Sequence, residues 1–376
     1  MRGALRSAGV ALMVALAACA QQKPAPLDLS ALKLPPGFHV DLYAGDVAGA
    51  RSLALGANGT VFVGSRAQGM VRALIDADHD GRAERIVTIA SGLDIPNGVA
   101  FHDGDLYVGA LSRILRYRAI ESHLDAPPGP EVVTDKLPAD AEHGWRFIAF
   151  GPDGRLYVAI GSPCNECDKG DAYAKLISMK TDGSDWQDVA YGIRNTLGFD
   201  WQPGTNALWF TENGRDSMGE DMPADELNRV SRIGEHFGYP YCHQGDTLDP
   251  ELGKGKSCSD YTPPVFKLGA HVAALGMRFY TGTMFPAEYR NAIIVAEHGS
   301  WERKVKSGYR VMVAHVDGDR VLGYEPLLDG FTHGDEFYGR PTDVLVMPDG
   351  ALLVSDSSAG AVYRVSYAAP ATASHP

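Results

Sequence analysis

Four stretches of this chain set an imidazole or a guanidinium beside a Gly-flanked turn. They are Glu142-His143-Gly144-Trp145-Arg146, Tyr191-Gly192-Ile193-Arg194-Asn195, Glu297-His298-Gly299-Ser300-Trp301 with Arg303 close behind, and Tyr338-Gly339-Arg340-Pro341. Arginines bind and polarise an anionic, oxygen-rich cofactor or substrate through a fixed fork of donors. A histidine among them can take a proton from a hydroxyl near neutral pH. Singly, each stretch is equally met by a capped turn or a surface ion pair. Their common position in a repeat is what joins them.

The repeat is a turn followed by a β-rich run. It reads Ala-Asn-Gly-Thr-Val-Phe-Val-Gly from Ala57, His-Asp-Gly-Asp-Leu-Tyr-Val-Gly from His102 and Pro-Asp-Gly-Arg-Leu-Tyr-Val-Ala from Pro152. Looser copies start at Gly204 and Arg290, and Pro-Asp-Gly-Ala-Leu-Leu-Val-Ser starts at Pro348. An Asn/Asp/Gly turn leading into alternating β-branched or aromatic residues predicts a hairpin that enters a half-buried strand. The first copies are spaced by roughly fifty residues, the size of one propeller blade. The expected fold is therefore all-β: a six-bladed β-propeller of four-stranded antiparallel blades, spanning 34–367. The loops that hold His143, Arg194 and Arg340 precede strands next to the axis, so they should converge on one rim of the channel.

The ends read differently. Arg2 and Arg6, the apolar stretch from Val10 to Ala18 and then Leu16-Ala17-Ala18-Cys19 predict a lipoprotein signal over 1–18, with lipidation at Cys19 and a tether over 19–33. The apolar stretch is too short to span a bilayer, and no later segment is long enough. The expected place is the periplasmic face of a bacterial membrane. The Ala/Pro/Ser-rich tail, 368–376, reads as disordered. A formal net charge of −13 argues against nucleic acid as a partner.

Export permits disulfides, and Cys164, Cys167, Cys242 and Cys258 allow three pairings. Local pairs, Cys164–Cys167 and Cys242–Cys258, are the favoured set; zinc and redox chemistry at the first pair stay open. A long insertion between the fourth and fifth copies predicts a functional loop. Asp76, Asp78, Asp80 and Gly81 match the start of an EF-hand loop, but Val87 stands where a bidentate Glu is required. A solvated hairpin tip and a weak Ca²⁺ site both fit.

Taken in order, Glu-His-Gly-Trp-Arg-Phe at 142–147, Tyr-Gly-Ile-Arg-Asn at 191–195 and Thr-Glu-Asn-Gly-Arg-Asp at 211–216 resemble a known family. So do Asp-Glu-Leu-Asn at 225–228, His-Phe-Gly-Tyr-Pro at 236–240, Ala-Glu-His-Gly-Ser-Trp at 296–301 and Gly-Arg-Pro at 339–341. The pattern is similar to the soluble pyrroloquinoline-quinone (PQQ)-dependent sugar dehydrogenases, in the sorbosone or pyranose dehydrogenase branch. The resemblance implies PQQ over the channel mouth and His143 as general base. It implies Arg194, Asn195 and Arg340 on the cofactor. It also implies Ca²⁺ on the carbonyls of Gly214 and Arg215, with Asp225 and Glu226 nearby. Glucose-oxidising members carry a Lys in the fifth blade, where this chain offers His298 and Arg303. Asn97 is the positional counterpart of their second-blade Gln.

The expected activity is oxidation of a sugar or a sugar-derived aldehyde or alcohol, with electrons passing to an acceptor that the sequence does not name. Two other readings remain: a Ca²⁺-dependent propeller lactonase, and a lipid-anchored binding propeller without catalysis. The largely basic rim suits an anionic cofactor better than the carboxylate-rich metal centre a lactonase requires.

Overall fold

The computed structural model describes residues 28–369. Cys19, the leader over 1–18 and residues 370–376 lie outside the described residues. Six four-stranded antiparallel sheets follow one another along the chain, the third extended by one short parallel strand. The innermost strands are Leu53–Leu55, Gly98–His102, Ile148–Phe150, Phe199–Trp201, Ala274–Phe279 and Pro341–Val346. This is the six-bladed propeller that the repeat predicts. Among the described residues, helix is confined to four three-residue 3-10 turns, and no helix is long and apolar enough to cross a membrane.

The repeated run forms the second strand of each blade. In the last three blades these are Leu208–Glu212, Ile293–Glu297 and Leu352–Asp356, and every residue in them is buried. The sequence predicts half-buried strands. The difference arises because each blade is sandwiched between two others, so both faces of its inner strands meet apolar neighbours. The Trp209 cluster shows this: it joins Leu227 of the fourth blade to Phe279, Ile293 and Val295 of the fifth. The turn glycine of the repeat adopts the left-handed region, with φ +88° at Gly59 and +75° at Gly154, where a Cβ would strain the backbone.

The ring closes on itself. Phe38–Ala44 pairs antiparallel with Ala361–Tyr367 and becomes the outermost strand of the last blade. The last part of the expected tether is already packed. Leu29–Ala31 forms a 3-10 turn, Leu32 is buried, and the Lys33 and Asp329 backbones exchange hydrogen bonds of 2.8 and 3.0 Å. At the other end, the Ala368 N–H donates to the Gly37 carbonyl at 2.9 Å, so the first residue of the expected tail is also held. Both local disulfides are present, Cys164–Cys167 and Cys242–Cys258, with Cα separations of 6.1 and 5.5 Å.

Candidate active site

A cavity of about 300 Å³ opens where loops enter the innermost strands. His143, Arg194, Asn195, Gly214, Asp225, His298 and Arg340 all line it. Arg51, Arg66, Trp145, Asp216 and His271 line it too. The repeat phase therefore brings together residues as distant in sequence as His143 and Arg340. A larger cavity, about 490 Å³, lies behind the Cys164–Cys167 loop and is walled by Tyr191, Tyr239 and Tyr241. None of the predicted catalytic or cofactor residues lines it.

His143 is held on both sides. Its backbone is left-handed at φ +46° and its side chain is buried. Nδ1–H donates to the Ser162 carbonyl at 2.8 Å. That bond fixes the tautomer and leaves Nε2 as a free acceptor. Gly161 makes the approach possible: a Cβ there would lie 2.5 Å from the His143 Cβ. Burial, and then the charge of Arg194, push the His143 pKa down to about 3. The imidazole is thus neutral across the physiological range.

Arg194 is buried and its guanidinium is fully engaged. It donates to the Gly214 carbonyl at 2.8 Å, to Asn165 Oδ1 at 2.8 Å and to the Asn165 carbonyl at 3.0 Å. It also pairs with Asp216 at 2.8 Å. Its backbone N–H donates to Glu212. Arg194 therefore organises the loop over residues 213–216 as well as charging the wall. Beside it, Asn195 donates to Asn213 Oδ1 at 3.2 Å.

Three further guanidiniums gather opposite. Arg340 donates to the carbonyls of His298 and Gly299 at 3.1 and 2.5 Å and lies over the Tyr309 ring. Arg66 sits 4.0 Å from the centre of the Trp145 ring, with Arg51 5.8 Å from the same centre. Burial, then the like charges of Arg66 and Arg340, push Arg51 down to about 9. The Trp145 indole N–H is buried and has no partner. Unpaired donors and mutually repelling cations around one cavity call for an anionic, acceptor-rich ligand. His298 lies in the same wall. Its Nδ1–H donates to the Pro341 carbonyl at 3.0 Å, and burial with the charges of Arg340 and Arg51 holds it well below the usual histidine value.

The acidic side is narrower than the sequence predicts. Asp225 accepts from the Gly214 and Ala274 N–H groups at 3.0 and 3.1 Å, and burial pushes its pKa up to about 7. Glu226 is the next residue on the strand Ala224–Val230, so its side chain leaves by the other face. There it meets Glu212, and burial together with the paired negative charge raises Glu212 well above the ordinary carboxyl value. The Arg215 side chain turns away to Asp249 and Glu251, at 2.6 and 2.8 Å. Arg303 does not line the cavity; it pairs with Asp221 at 3.2 Å and donates to the Glu220 carbonyl. Asn97 is buried behind Arg51, accepting from its Nε at 2.9 Å. Asp216, His271 and Glu302 bring ligand atoms within 4.8 Å of one another, a grouping not predicted from the sequence.

A family model described as glucose/sorbosone dehydrogenase matches residues 110–364. This chain belongs to that family. An uncharacterized protein of Borreliella burgdorferi is 31% identical over 354 residues, covering 90% of this chain and 91% of its own. The aldose sugar dehydrogenase YliI of Escherichia coli is 29% identical over 238 residues, covering 59% of this chain and 57% of its own. The PQQ domain of a pyranose dehydrogenase from Coprinopsis cinerea, solved in its holo form, superposes with a TM-score of 0.78 at 18% identity, covering 92% of this chain and 98% of that one. At that identity the superposition speaks for the fold.

In this member of the family, the sequence signal for the residues not predicted is uneven. Arg51 lies two residues ahead of Leu53–Leu55, close to the phase that Arg340 holds ahead of Pro341–Val346. The repeat logic could have found it. Arg66 and His271 lie in loops with no repeated motif and left no such signal.

Proposed function

We propose that this protein is a quinoprotein that oxidises a sugar or a sugar-derived aldehyde or alcohol, with PQQ seated in the cavity and Ca²⁺ beside it. The observation that carries the reading is the set of guanidiniums from Arg51, Arg66 and Arg340 around the free Nε2 of His143 and the unpartnered indole N–H of Trp145. The holo pyranose dehydrogenase domain supports the choice of cofactor, since it shares this architecture.

The arginines would hold the cofactor's carboxylates and polarise its carbonyls. The backbone of Gly214, with Asp216 and Asp225 in the same wall, offers hard oxygen ligands to Ca²⁺. When bound, the quinone supplies the two-electron acceptor for the hydride that leaves the substrate carbon. His143 Nε2 takes the substrate hydroxyl proton, or that of the hydrate if the substrate is an aldehyde. The Ser162 carbonyl holds the imidazole in the required tautomer and steadies it once protonated. Trp301, exposed at the rim, is placed to meet the substrate as it enters. The experiment is dye reduction by apoprotein given quinone with Ca²⁺, or quinone with a chelator. The reading requires activity in the first case and little in the second. No activity with a panel of sugars and aldehydes would sink it.

The same reading places the protein on the periplasmic face of a bacterial membrane, held by lipid at Cys19. The Leu16-Ala17-Ala18-Cys19 motif supports it.

A further inference from the structure

The loop over residues 76–84 joins the strands Val71–Ile75 and Arg85–Ala90 of the first blade, far along the chain from every residue of the cavity wall except Arg51 and Arg66. Asp76, Asp78, Asp80 and Glu84 bring carboxylate oxygens within 4.8 Å of one another. Glu84 stands at the ninth position of the loop and supplies the carboxylate that Val87 cannot. Gly81 takes φ +89° at the sixth position, where the chain turns sharply.

Acidic loops of this kind are common without an ion, so further observations matter. Two polar atoms at this place are orphaned. Asp76 Oδ1 is buried with no partner. The Tyr43 hydroxyl is also without a partner, on a side chain that is only 2% exposed. Tyr43 lies against the loop, since its carbonyl accepts from the N–H of Ala83, the neighbour of Glu84, at 2.8 Å. A buried donor with nothing to meet is costly, and so are carboxylates crowded without a cation. One hard cation answers both: it takes the carboxylate oxygens, and a water bound to it takes the Tyr43 O–H.

We propose that Asp76, Asp78, Asp80 and Glu84 form a Ca²⁺ site that clasps the first blade to the closing strand of the last. Oxygen ligands in a flexible loop favour Ca²⁺ over Mg²⁺, which demands a tighter octahedron. The clasp follows from what the loop touches. The Ala83 N–H donates to the Tyr43 carbonyl at 2.8 Å, on the strand Phe38–Ala44. A Cβ at Gly81 would lie 2.9 Å from the Arg364 Nε of the partner strand. The site is independent of quinone chemistry.

The test uses the whole chain, freed of metal and quinone. Ca²⁺ bound per chain is counted by native mass spectrometry, and the melting temperature is followed with added Ca²⁺. Wild type is compared with Asp78→Asn/Asp80→Asn and, should that variant fold poorly, with Glu84→Gln. The double variant should bind one ion fewer, or bind it at least about a hundredfold more weakly, since ligand charge sets affinity in such loops. Its melting temperature should lose the part of the Ca²⁺-induced rise that the clasp provides. Equal ion counts and equal shifts in wild type and variant would overturn the proposal, whatever the enzyme does with sugars.

Discussion

The guanidinium of Arg194 donates to the Gly214 carbonyl at 2.8 Å, and its other arm pairs with Asp216 at the same distance. One residue thus fixes the backbone carbonyl proposed to face Ca²⁺ and a carboxylate in the same wall. Arg194→Ala should leave Asp216 without its partner and the 213–216 loop unsupported. The expected cost is about 1–3 kcal/mol, as for polar partners left unsatisfied, because Asp216 is only partly buried. Thermal melting measures it. Arg194→Lys should not restore that stability, because an ammonium cannot make the same fork to Gly214, Asn165 and Asp216.

His143→Ala should separate binding from chemistry. Quinone affinity should stay near that of wild type, because the cofactor's carboxylates are assigned to arginines. Turnover should fall by about 10²–10⁴-fold, the usual contribution of a positioned base. A quinone titration at saturating substrate checks both. Near-normal turnover would transfer the role to His298, the other imidazole in the wall.

His143 also predicts how stability depends on pH. In the unfolded chain an ordinary histidine takes up its proton near 6.5, whereas the folded side chain does so at about 3. Its contribution is therefore complete above pH 6.5 and is lost as pH falls from there toward 3. Melting temperatures of apoprotein between about pH 4 and 8 should show wild type losing its margin over His143→Ala on acidification. Parallel curves would contradict the buried, neutral imidazole.

Reducing the Cys242–Cys258 bridge should loosen the insertion within the fourth blade, between its strands Ala224–Val230 and Phe266–Ala270. The bridge spans a sequence separation of 16, for which the chain-entropy model gives about 3 kcal/mol. The Cys242→Ser/Cys258→Ser variant should melt lower by the corresponding amount. It should also bind quinone more weakly, because Arg215 and Asp249 hold that insertion to the 213–216 loop at 2.6 Å.

Cys19→Ser should release the protein from the membrane fraction or leave its leader uncut. Fractionation and N-terminal sequencing decide it. Wild-type protein that is already free of membrane and begins at another residue would contradict lipid anchoring.

The propeller was legible because its signal is local. A left-handed turn residue, glycine in five blades and Asn291 in the fifth, and a short apolar run recur in each blade, and nothing distant is needed to read them. The convergence of His143, Arg194 and Arg340 was legible for the same reason, since repeat phase carries three-dimensional position. Asp225 and Glu226 are near the 213–216 loop as expected, but which of them faces the cavity was not legible: neighbours on a strand point to opposite faces, and Asp225 alone lines the wall. Arg303 follows the Glu-His-Gly motif closely, yet it is drawn outward by Asp221. The Arg215 side chain is drawn into the insertion by Asp249 and Glu251, which leaves the expectation for its backbone carbonyl untouched. Such ion pairs between loops have no period, and only the folded chain reveals them.

Phe38 lies opposite Tyr367 in the pairing that closes the ring. The first of the described strands to leave the ribosome is therefore among the last to find its partner. For almost the whole of translation, Phe38–Ala44 is an edge without a mate, and the final blade lacks a side until Ala361–Tyr367 emerges. Pairing across so much chain is slow, and an open edge invites the wrong neighbour. The time between those two events is the period in which this protein most needs company.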